Sequence, residues 1–71
     1  MAYINKGDMI LVRGRHAVAT SSDYTKLIFD SYDYELDRAG FEGGSAVGAV
    51  NFMYPDTGVT GWARMSDVRK P

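Results

Sequence analysis

No cysteine occurs among the 71 residues, which excludes disulfide staples, thiolate nucleophiles and thiolate-bound zinc. A chain this short then has only its apolar core to hold it together. Histidine is represented once, by His16 beside Arg15 in a turn, with no cysteine to partner it, so catalytic groups are scarce. The expectation is a protein that is not an enzyme. Asp30, Asp33, Glu35 and Asp37 lack the glycine-centred spacing of a calcium loop, and neither a metal nor a cofactor is implied.

Charge of one sign is not in excess either. Eight Lys and Arg stand against nine Asp and Glu, a formal net charge of −1, so no overall field recruits nucleic acid or anionic lipid from a distance. No segment reaches the roughly 20 apolar residues of a membrane helix. The start, Met1 to Asp8, is without the apolar run of a signal peptide. A cytoplasmic protein with no membrane contact is expected.

What the chain does contain is ordinary globular material, 45% hydrophobic and 24% charged, enough for a single small domain over residues 1–71. Helical periodicity is missing, and the segments between glycines are β-branched and aromatic, so the fold is read as all-β. Lys6-Gly7-Asp8 is a turn opening onto a strand over Met9–Arg13 with Ile10 and Val12 inward. Gly14 and the Arg15-His16 pair end that strand, Ala17–Thr20 forms an arm, and Ser21-Ser22-Asp23 makes a turn through its own side chains.

Tyr24–Arg38 reads as one long strand whose apolar parity switches from Leu27 and Phe29 to Tyr32, Tyr34 and Leu36. A bulge near Asp30-Ser31 explains the switch. The Gly40–Ser45 loop leads to a strand over Ala46–Tyr54, and Tyr54–Val59 is a hairpin loop with its proline and glycine at turn positions. On the returning strand Val59, Ala63 and Met65 face inward and Thr60, Trp62 and Arg64 outward. Ser66 is expected to cap a single turn through Val68, before a basic tail, Arg69-Lys70-Pro71. Five to six short strands in so few residues suit a small barrel, because closure removes unpaired edges.

Gly58-Val59-Thr60-Gly61-Trp62-Ala63-Arg64-Met65-Ser66-Asp67-Val68 resembles the closing segment of bacterial Src-homology-3-like domains, where a one-turn helix precedes a final short strand. Lys6-Gly7-Asp8 with its following aliphatics is similar to the opening of barrels of that class. Ser31-Tyr32-Asp33-Tyr34-Glu35 resembles the alanine-leucine-tyrosine-aspartate-tyrosine motif of eukaryotic members, whose tyrosines line a groove for proline-rich peptides. The tryptophan pair of those members is absent, and Arg64, Ser66 and Asp67 replace their proline, asparagine and tyrosine. The resemblance therefore implies a small five- to six-stranded barrel, whereas a shared barrel does not fix the ligand.

Residues 27–57 carry Asp30, Asp33, Glu35, Asp37, Glu42 and Asp56 against Arg38 alone. Carboxylates interleaved with tyrosines suit a basic, extended partner segment. The site expected for a protein partner is Tyr32, Asp33, Tyr34, Glu35, Tyr54 and Trp62, with Trp62 either an exposed anchor or a cover for one barrel end beneath Arg15 or Arg64. Ala46–Tyr54 is apolar on both faces, so its second face is covered by the chain's own arm (Met1–Ile4 or Ala17–Ala19), by a second copy or by a partner. The alternative is a nucleic-acid-binding barrel in which Arg13, Arg15, Lys26, Arg64, Arg69 and Lys70 form a basic strip beside Trp62. An adaptor, an assembly component, or a small inhibitor of the kind viruses and mobile elements encode would each fit the first reading.

Overall fold

The computed structural model describes residues 3–28 and 45–71. Six strands, β1 (Met9–Val12), β2 (Arg15–Ala19), β3 (Tyr24–Ile28), β4 (Ser45–Met53), β5 (Thr60–Arg64) and β6 (Val68–Arg69), form one antiparallel sheet. A single turn of 3₁₀ helix, Met65–Asp67, joins the last two. The all-β reading is met, with the sheet curled into a half-barrel.

β4 organises the sheet. One of its edges pairs with β3 through Ser45–Ala49 and with β2 through Phe52 and Met53, while its other edge pairs with β5. β1 lies beyond β2, and β6 returns to β1 at Val12↔Val68 and Leu11↔Arg69. Alternate residues of β1, β2 and β4, as their pleat dictates, supply the core: Ile10, Val12, Ala17, Ala19, Val50 and Phe52, joined by Ala63 and by Ile4 from the N-terminal segment. Ile10 and Val12 point inward as expected.

The first hairpin corrects the reading of Arg15-His16 as a turn and of Ala17–Thr20 as an arm. Val12 pairs with Arg15, so Arg13-Gly14 is the whole connection, with φ of 50° and 79°. Two consecutive positive φ values are the mark of the tight type I′ turn, whose twist matches the strands it joins. Arg15–Ala19 is consequently a full strand, and His16 stands exposed on it.

β2 and β3 share one edge of β4 but not one register. Ala19 faces Phe52 whereas Tyr24 faces Ala49, so the segment between them holds more residues than the stretch of β4 it passes. Ser21-Ser22-Asp23 is thus a bulge, not only a turn. Thr20 N–H still donates to Asn51 O at 2.8 Å, and Asn51 N–H donates to the Ser21 hydroxyl at 3.1 Å. A side chain replaces the missing strand carbonyl. The bulge expected at Asp30-Ser31, the rest of the Tyr24–Arg38 run and the Gly40–Gly44 part of the loop lie outside the described residues.

The Tyr54–Val59 hairpin is as expected, closed by Tyr54 N–H to Val59 O at 2.8 Å, with Gly58 at φ 75°. Two details of the last strands differ. Val59 lies in the loop before β5 and is exposed, leaving Gly61 and Ala63 to face the core, with Met65 packed at its border. The helical turn begins after Arg64, without any side-chain cap from Ser66, and is closed by Val68 N–H on Met65 O.

Candidate interaction face

The second face of β4 is where the aromatic and basic candidates meet. Cross-strand partners share a face. The pairs Tyr24↔Ala49, Lys26↔Val47, Asn51↔Trp62 and Ala49↔Arg64 therefore place Tyr24, Lys26, Trp62 and Arg64 over one outer surface. Lys26 Nζ stands 4.9 Å from the Trp62 ring centroid, so the two side chains reach toward each other across β4. Ala49, which lies between them on β4, is fully buried. Its methyl group is small enough for long neighbours to lean over it. Tyr24 Oη donates to Asn51 Oδ1 at 2.7 Å, which pins the phenol to the same surface.

This arrangement answers the question raised by the two-sided apolar strand. Among the described residues the arm segments do not cover the outer face, because Ile4, Ala17 and Ala19 are core residues on the inner one. Side chains of β3 and β5 cover it instead. Trp62 nevertheless remains 40% exposed, more than a core indole would allow.

Tyr54 has a different setting. It lies at the inner border of the core, 4.9 Å from Phe52 between ring centroids. Arg15 stacks on its outer side at 4.0 Å and reaches Asp56 with one Nη2 on both carboxylate oxygens. The residue lying beneath Arg15 is thus Tyr54 and not Trp62. Tyr32, Asp33, Tyr34 and Glu35 lie outside the described residues.

The six cations have different neighbours. Arg13 pairs with Asp67 at 3.6 Å, Arg15 with Asp56 at 3.0 Å and Lys70 with Asp8 at 3.5 Å. Arg13 and Arg69 border a cleft of ≈ 340 Å³ with Leu11 and Ser66, while Lys26 and Arg64 border Trp62. A second cleft of ≈ 350 Å³, lined by Tyr3, Ile4, Gly48, Met65 and Val68, opens beside Lys70. The pairing of Arg13 and Lys70 with carboxylates was not visible in the sequence, since Asp67 and Asp8 meet them only through the β1–β6 closure and the Asn5–Asp8 turn.

Among the described residues no group of three or more histidine or acidic side chains gathers as a metal site would, and no helix is long and apolar enough to cross a membrane. Protein-family models, curated proteins and solved structures give no match to this chain. Its reading therefore rests on its own residues.

Proposed function

We propose that this chain is a non-enzymatic protein-binding module of Src-homology-3-like architecture that holds its partner on the outer sheet face around Trp62. The single observation that carries this reading is the exposure of Trp62 on a face already lined by Tyr24, Lys26 and Arg64. Tryptophan surrounded by long amphipathic side chains is the composition of binding hot spots. The architectural part rests on the Gly58–Val68 segment, with its one-turn helix and short final strand. The adaptor, assembly and inhibitor roles all use such a face.

Nucleic-acid binding through Trp62 has weaker support. Stacking needs an open ring face, and Lys26 already stands over the indole. The test is affinity capture from the encoding cell with the intact protein and with Trp62→Ala. A protein retained by the first and lost from the second, with the circular dichroism of the two alike, is the expected result. Equal retention by both removes Trp62 from the site.

A further inference from the structure

The outer face bears charge of one sign among the described residues. Neither β3, β4 nor β5 carries a carboxylate. The four described aspartates are engaged elsewhere: Asp8 with Lys70, Asp56 with Arg15, Asp67 with Arg13, and Asp23 with the Ile4 amide. Among the described residues, the charged side chains beside Trp62 are Lys26 on β3 and Arg64 on β5. β5 also has no strand on its second edge among the described residues, and Gly61 leaves that edge without a side chain on the inner face next to Trp62.

From these features we infer that the Trp62 face takes an extended acidic segment of a partner protein, laid along β5. The inference rests on the protein-binding reading above and names the chemistry of the partner. An unpaired strand edge offers backbone N–H and C=O groups to an added strand, which favours an extended occupant over a helical one. Alternate side chains of such a strand point to the outer face. There, carboxylates meet Lys26 and Arg64 as charge-assisted hydrogen bonds, and an apolar neighbour packs on the free rim of the indole. This is the opposite sign from the basic segment that Asp33 and Glu35 would receive. A nucleic acid would satisfy the same cations but gains no stacking on a ring whose face holds Lys26.

Trp62 is the only tryptophan, so its fluorescence reports the face directly. The probes are a capped peptide of alternating valine and glutamate, its valine–lysine counterpart, and a thymidine oligonucleotide of the same charge as the acidic peptide. The acidic peptide is expected to shift the emission and to bind about tenfold or more tighter than the basic one, with affinity falling as salt is raised. Arg64→Glu is expected to abolish that preference, and Lys26→Glu serves if Arg64→Glu alters the circular dichroism. Equal or tighter binding of the basic peptide overturns the acidic partner and leaves the protein-binding reading standing. Oligonucleotide binding as tight as the acidic peptide's overturns both. Failure of both peptides to bind at millimolar concentration overturns the added strand.

Discussion

The Arg15 guanidinium carbon lies 4.0 Å above the centre of the Tyr54 ring while its Nη2 touches both carboxylate oxygens of Asp56. One side chain from β2 thereby ties the 54–59 hairpin loop to the first hairpin, 41 residues earlier in the chain. The arginine and aspartate are about half exposed or more, so the ion pair contributes at most about 1 kcal/mol, and the stacked cation a similar amount. Arg15→Ala is expected to lower stability by about 1 kcal/mol, and Arg15→Lys by less, because the point charge keeps the pair but loses the planar stack. Urea unfolding measures both. An unchanged midpoint for Arg15→Ala would show the loop to be held without it.

Asp23 clasps the N-terminal segment at two points. Its Oδ1 accepts the Ile4 amide at 3.0 Å, and its own N–H donates to Ile4 O at 3.1 Å. Ile4 is one of the largest fully buried side chains, so the clasp holds part of the core. Asp23→Ala orphans a half-buried N–H and is expected to cost about 1–2 kcal/mol. Asp23→Asn retains an acceptor and should cost less than half of that. Hydrogen exchange at Ile4 gives the local readout: it should quicken strongly in Asp23→Ala and weakly in Asp23→Asn.

The Arg13-Gly14 turn makes a prediction of the other sign. Arg13 holds a φ of 50°, a left-handed conformation that costs a non-glycine residue about 1 kcal/mol and that asparagine tolerates better. Its ion pair with Asp67, 3.6 Å long between half-exposed partners, offsets little of this. Arg13→Asn is expected to raise stability by a few tenths of a kcal/mol, the Asn-Gly pair being the favoured one for this turn. Gly14→Ala, at φ 79°, should lower it by about 1 kcal/mol, a fall of about 4–8 °C in Tm for a chain of this size.

How much of this was legible beforehand follows from how local each signal is. The inward pair Ile10 and Val12 and the Pro55 to Gly58 loop are each specified within a few residues, and the chain folds there as its pattern indicates. The single turn near Val68 also forms, but one residue earlier and without the Ser66 cap. Arg13-Gly14 is not legible as the turn because arginine is a poor marker of a left-handed conformation, whereas the polar Arg15-His16 pair marks a strand break one pair too late. The cover over β4 was missed for a different reason. Lys26 and Trp62 are adjacent only because β3 and β5 flank the same strand, a relation that needs the sheet order. Asp23 read as a turn former when its side chain in fact binds a residue nineteen positions away.

Two glycines on the inner face separate close approach from real constraint. A methyl group at Gly48 would sit 3.1 Å from Met65 Cγ, and one at Gly61 would sit 3.3 Å from Phe52 Cζ. Distance alone ranks Gly48 as the worse site, but the neighbours differ in what they can yield. Met65 is a flexible thioether chain bordering the ≈ 350 Å³ cleft, so it can rotate aside. Phe52 is 4% exposed and wedged against Tyr54 at 4.9 Å, which Arg15 in turn overlies. Its ring has nowhere to go. Replacing a strand glycine also regains roughly 0.5–1 kcal/mol of backbone entropy. Gly48→Ala is therefore expected to be neutral or mildly stabilising, and Gly61→Ala to cost about 1 kcal/mol net through overpacking. If the clash is the cause, shortening Phe52 should relieve it. In a double-mutant cycle Gly61→Ala should then cost markedly less in a Phe52→Leu background than alone. Additive effects, or a Gly48→Ala more damaging than Gly61→Ala, would place the constraint elsewhere than at the Phe52 ring.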